Sequence, residues 1–143
     1  MVTPTLNPTD CIFCKIVDGK IPTRIILQSE KSLAFLDAFP LTSGHSLVIP
    51  KKHYEKVQQM PPDEHSDLFR LVQKVTEKVD ALTNAELIAV HNGKESGQEI
   101  PHVHVHIIPR SAKDGAGAVH SMFRNRPNLS DKEFDDILKK IKG

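Results

Sequence analysis

The sequence predicts an α+β fold: one domain built on a five-stranded, mainly antiparallel sheet, with one long helix and short terminal helices packed on it. Three observations predict it. Short apolar-rich runs bounded by turn residues recur along the first fifty residues. A single long stretch then carries Leu68, Leu71, Val72, Val75, Val79 and Leu82 at three- and four-residue spacing, the stripe of a helix lying on a sheet. Finally, Pro101-His-Val-His-Val-His-Ile-Ile-Pro109 alternates so strictly that a strand would sort it into an imidazole face and a β-branched face.

Each element has its own signal. Residues 1–9, rich in Pro, Thr and Asn, read as a flexible arm, and 10–143 as the domain. Asp10 is placed to cap a short helix over residues 11–17, which Asp18-Gly19 ends. Runs 24–29 and 32–37 flank the polar pair Glu30-Lys31 and read as a hairpin. Residues 45–49 form a third strand closed by Pro50. Pro61-Pro62-Asp63-Glu64 opens the long helix. Residues 86–91 and 102–108 are the fourth and fifth strands, joined by a glycine-containing loop that could close over a ligand. Residues 115–128 look irregular and mobile. Ser130-Asp-Lys-Glu133 is a capping box starting a last amphipathic helix, with Phe134, Ile137, Leu138 and Ile141 expected inward.

Composition narrows the function. The 143 residues are 38% hydrophobic and 26% charged, with a net charge of +1, a balance that argues against a nucleic-acid or membrane-surface protein. No run is apolar enough to span a bilayer, and the first ten residues lack a signal-peptide pattern, so a cytoplasmic location with a nuclear pool is expected. Cys11 and Cys14 make a poor disulfide framework and a reasonable metal pair.

The histidine row concentrates the chemistry. Neighbouring rings on one strand face would stand roughly 6–7 Å apart, from a rise of about 3.3 Å per residue. Imidazole titrates near neutrality, so one row can hold a nucleophile, an acid and a metal ligand.

These residues resemble the histidine triad (HIT) family, whose signature alternates His with hydrophobic residues as His102–Ile108 does. Cys11-Ile-Phe-Cys14, Ala34-Phe-Leu-Asp-Ala38, Gly44-His-Ser-Leu-Val-Ile-Pro-Lys-Lys-His53 and Asn92-Gly with Gly97-Gln98 resemble that family's segments in its order. The likeness covers about residues 10–110, and is nearest the Hint-like branch of nucleoside phosphoramidases and nucleotidyl hydrolases.

The resemblance implies a HIT domain over 10–143 with its motif at 102–108. It implies a hydrolase of adenosine 5′-phosphoramidates working through a nucleotidyl-histidine. His104 would be the nucleophile, with His106 and His45 on the α-phosphate and His102 counted in the catalytic set. Asp37 would take the ribose hydroxyls, and Ile12, Phe13, Ile16, Phe35 and Ala38 would wall the base slot. Taken singly, these are a strand-end turn residue and core residues. Asn92, Gly97 and Gln98 resemble the phosphate-binding loop. Glu99 stands where the best-studied members carry Ser or Thr, which bears on the leaving group. Cys11, Cys14, His53 and His102 match the zinc ligands of many members, against the alternative of an empty reduced pair. A homodimer joined through the long helix and fourth strand is implied. His65, His91 and His120 match no motif. Two other readings stay open: a dinucleoside polyphosphate hydrolase, and a nucleotide-binding scaffold.

Overall fold

A computed structural model describes residues 10–143; the arm expected over 1–9 lies outside them. Three helices and five strands follow in the order α1 (Ile12–Val17), β1 (Ile25–Gln28), β2 (Ser32–Leu36), β3 (Ser46–Pro50), α2 (Pro62–Thr83), β4 (Glu86–Ala89), β5 (Val105–Pro109) and α3 (Asp131–Lys142). The strands form one antiparallel sheet in the order β1-β2-β3-β5-β4. The predicted fold class is therefore the observed one.

Alternation along the strands splits the core in two. Ala34, Val48, Val103, Val105 and Ile107 meet the α2 stripe Leu68, Leu71, Val72, Val75 and Val79. Each such side chain is worth about 2 kcal/mol on burial. Leu33, Phe35, Leu47 and Ile49 point the other way and meet Cys11, Phe13, Cys14 and Ile16 around α1. Helices thus cover both faces of the sheet. Leu82, expected in the stripe, sits in the last turn of α2 and is exposed.

Local chemistry moves several boundaries. Cys11, not Asp10, caps α1, its Sγ accepting from Cys14 N–H at 3.5 Å. β4 ends at Ala89 and β5 begins at Val105, so His91, His102 and His104 lie beyond the ladder. Ser130 and Glu133 form the predicted capping box of α3. The α3 stripe does not turn inward: Phe134, Ile137, Leu138 and Ile141 are 42–77% exposed. The irregular stretch before it contains one 3₁₀ turn, Val119–Met122.

Two ties bring the histidine segment to its place. Val103 N–H donates to the Tyr54 carbonyl at 2.7 Å, laying residues 102–104 beside His53. The Tyr54 hydroxyl donates to the buried Glu64 carboxylate in the first turn of α2 at 2.8 Å. Burial, then Glu64, push the tyrosine pKa up to about 12.

Candidate active site

The imidazoles of His45, His104 and His106 gather on the α1 face of the sheet. His104 and His106 have ring centroids 4.9 Å apart, closer than strand geometry predicts, because His104 precedes the regular strand. His45 reaches the same place from the start of β3, 5.2 Å from His106. Gly44 permits this: it has φ +92°, and a Cβ there would collide with Leu82 and crowd Pro109.

Backbone groups fix the tautomers. The His102 carbonyl can only accept, so His104 Nδ1 carries the proton and donates to it at 2.8 Å. That leaves the lone pair on Nε2. Across the site, Leu41 N–H donates to His45 Nδ1 at 3.1 Å, which places the proton of neutral His45 on Nε2. His45 Nε2–H then donates to His106 Nδ1 at 2.9 Å, so His106 carries its own proton on Nε2. That atom is buried and has no hydrogen-bond partner among the described residues. One ring offers a lone pair and its neighbour an unspent N–H.

Burial keeps all three neutral near pH 7. It lowers the pKa of His45 against the pull of Asp37, and that of His104 against its bond to the His102 carbonyl. It also pushes His106 down to about 4, with His104, His45 and His91 adding repulsion. Phe13 wedges edge-on against His104 at 5.1 Å and His102 at 5.7 Å, fixing both rings.

Around this centre, the Asp37 carboxylate lies 3.6 Å from His45 Nε2 and accepts from Phe39 N–H at 2.9 Å. Of the residues expected to wall a base slot, Ile12 and Ala38 are exposed, whereas Phe13, Ile16 and Phe35 are buried. Asn92 accepts from Val57 N–H and donates to Gln58, both at 2.9 Å. Gln98 is buried, accepting from Gly93 N–H and donating to the carbonyls of Glu55 and Ile100. These two amides brace the 92–100 loop. Gly97 and Glu99 are exposed on it. His91 puts its ring 5.4 Å from that of His106. No motif marked it, but strand register could have: the β4–β5 pairing Ala89↔His106 carries His91 to the position opposite His104.

A second cluster lies on the far side of Phe13. Cys11 Sγ is 3.5 Å from His102 Nδ1, Cys14 Sγ is 3.4 Å from His53 Nδ1, and the two Nδ1 atoms are 3.2 Å apart. Bonds of about 2.3 Å to sulfur and 2.0–2.1 Å to nitrogen give tetrahedral edges of about 3.6 and 3.3 Å, so the donor set fits zinc. His102 Nε2–H donates to the Pro50 carbonyl at 2.9 Å, which aims its Nδ1 lone pair at the cluster. Without a cation, burial pushes the Cys14 thiol up to about 12.

The model of the HIT domain family matches residues 18–113. This chain belongs to the histidine triad family. It is 42% identical over 134 residues to an uncharacterised HIT-like protein of Methanocaldococcus jannaschii, covering 93% of this chain and 99% of that one. It is 38% identical over 133 residues to the adenosine 5′-monophosphoramidase hnt1 of Schizosaccharomyces pombe, covering 92% and 98%. A HIT family crystal structure from Bacillus subtilis superposes with a TM-score of 0.84 at 35% identity, covering 93% of this HIT chain and 95% of that one.

Proposed function

We propose that this HIT protein hydrolyses the phosphorus–nitrogen bond of adenosine 5′-phosphoramidates through a nucleotide bound covalently to His104. One observation carries the reading: the free Nε2 of His104 lies beside the unpartnered Nε2–H of His106. The His104 lone pair attacks the α-phosphorus, and the amine leaves with the bonding pair and a proton from solvent, which the later attack of water returns. Attack leaves positive charge on the His104 ring, which the His102 carbonyl stabilises through Nδ1–H. His106 Nε2–H, held in that tautomer by His45, meets the negative charge growing on the phosphoryl oxygens. Water then breaks the P–N bond to His104, giving adenosine monophosphate and restoring the neutral ring. The fission yeast phosphoramidase, alike over 92% of this chain, supports this choice of substrate. Asp37, beside the exposed Ile12 and Ala38, is the ribose partner in this reading, and the 92–100 loop covers the phosphate.

Zinc belongs to the same reading, held by Cys11, Cys14, His53 and His102. It would supply a structural cross-link between α1 and the sheet, not a step of the reaction. Two copies pair along β4 and α2. The support is an uncovered sheet edge beside a groove of about 450 Å³ lined by Phe69, Val72, Thr76, Glu86 and Ile88.

The test is His104→Ala. Turnover of an adenosine phosphoramidate should fall by at least about three orders of magnitude while nucleotide still binds. Mass spectrometry of quenched wild-type protein should find the nucleotide on His104. A variant keeping a tenth of the activity would overturn the assignment.

A further inference from the structure

We propose that Tyr54 and Glu64 are positioning residues of the reaction: their hydrogen bond holds the His102–Val103 peptide plane that keeps the proton of His104 on Nδ1. The inference rests on the nucleotidyl-transfer reading above and carries it from the imidazoles to the first turn of α2.

Both ends of that plane are in use. A trans peptide is flat, so the His102 carbonyl and the Val103 N–H share one plane and point to opposite sides. Val103 N–H donates to the Tyr54 carbonyl at 2.7 Å. The His102 carbonyl accepts from His104 Nδ1–H at 2.8 Å. A turn of the plane that breaks one bond breaks the other. The His104 proton is then free to move to Nε2, which removes the attacking lone pair. The two bonds also reinforce each other: donation by Val103 N–H draws negative charge onto the His102 oxygen, which holds the positively charged ring more firmly after attack.

No strand pairing holds this plane. β3 ends at Pro50 and β5 begins at Val105, so neither Tyr54 nor Val103 lies in a strand. Tyr54 is fixed by its side chain instead. Its ring belongs to the core beneath α2, and its hydroxyl donates to Glu64 Oε2 at 2.8 Å. Glu64 is buried in the first turn of α2, with Lys52 Nζ 3.7 Å from the same oxygen. A carboxylate is costly to bury, and a tyrosine packed for its bulk alone would need no such partner. A hydrogen bond to a charged acceptor is the stronger kind, so it gives the tyrosine one place along the helix. His53 and His102 flank the tie and face the sulfur cluster, but those contacts fix rings, whereas the peptide plane is held by Tyr54.

The experiment reads the His104 tautomer directly, from ring-nitrogen shifts in long-range proton–nitrogen correlation spectra of the substrate-free protein. It is read beside kcat, KM, Tm and bound metal. The variants are Tyr54→Phe, Glu64→Gln and the double variant Tyr54→Phe with Glu64→Leu. Tyr54→Phe should bring out an Nε2–H signal for His104 and lower kcat about tenfold at an unchanged KM, since a small misplacement of the attacking atom suffices. Glu64→Gln keeps an acceptor for the hydroxyl, and should hold the wild-type tautomer and most of kcat. Tyr54→Phe leaves the buried carboxylate short of a partner and should lower Tm. The double variant removes both polar groups, so Tm should recover while tautomer and kcat stay as in Tyr54→Phe. A wild-type tautomer in Tyr54→Phe, a kcat that returns with Tm in the double variant, or losses that follow bound metal would leave the pair a purely structural role. Wild-type protein that fails to turn over the phosphoramidate would remove the reading above, and the tautomer would still decide the tie.

Discussion

His104 and His106 sit two residues apart on one segment, yet they carry their protons on opposite ring nitrogens, because different groups hold their Nδ1 atoms. The bond from His104 to the His102 carbonyl leaves a lone pair on Nε2; the chain from Leu41 N–H through His45 leaves a donor on His106. Buried neutrality has a measurable cost in acid. His106 has its pKa pushed down to about 4 by burial, from an ordinary 6.5. Between those values the unfolded chain binds the proton and the folded chain does not, so stability rises with pH across the window. It is complete above about pH 6.5 and is lost as pH falls toward 4. Melting curves should show Tm dropping over this range, with a shallower drop in His106→Asn. Equal slopes in the two proteins would show that His106 is not held neutral. The meeting of the His104 and His106 rings was legible in the alternation of His102, His104 and His106. The tautomers were not, since backbone groups decide them: the His102 carbonyl for His104 and, through His45, the Leu41 N–H for His106. Asn92 and Gln98 resembled phosphate ligands by position, but their amides brace the 92–100 loop, a use that appears only once the chain segments meet.

At the scale of elements, α1 is short and anchored through its first turn by chemistry other than helix propensity. Cys11 caps it, and the Cys11–Cys14 pair faces His53 and His102. Protein purified without chelator is expected to carry about one zinc per chain. Cys14→Ser should lower Tm well before activity is lost, because a metal held there would tie α1 to the sheet and take no step of the proposed reaction. Metal-free protein with the wild-type Tm would argue for a reduced pair instead. The sequence located every strand and helix, since period-two runs and the α2 stripe are strong signals. It overextended β4 and β5, because alternation persists beyond the hydrogen-bonded ladder at His91, His102 and His104. The inward stripe of α3 was a sound reading of amphipathicity. What amphipathicity cannot say is whether the covering surface belongs to the same chain.

For the whole molecule, the sheet ends in β1 on one side and β4 on the other. β4 carries a half-exposed Ile88, and Phe69 beside it on α2 is equally exposed. A pairing strand from a second copy would satisfy that edge and cover the groove. Light scattering at micromolar concentration should therefore give about 32 kDa, twice the 16.0 kDa chain. Ile88→Lys should shift the population toward the single-chain mass. A wild-type species of single-chain mass with full activity would refute the dimer.

The relay that begins at Leu41 makes an ordinary surface loop answerable for its length. Phe39 and Leu41 are 87% and 72% exposed, and a loop so open would normally accept insertions. Here the N–H of Leu41 must close on the ring of His45, four residues later, or the proton on His45 is free to move and His106 loses its assigned donor. The side chains at 39 and 41 take no part in this bond, but the count of residues between them and His45 sets the proton on the His45 ring. Alanine at both positions should leave kcat nearly unchanged, whereas one glycine inserted after Thr42 should depress kcat at an unaltered Tm. The site thus keeps its proton in place by spacing along the chain, with no side chain of the loop devoted to it.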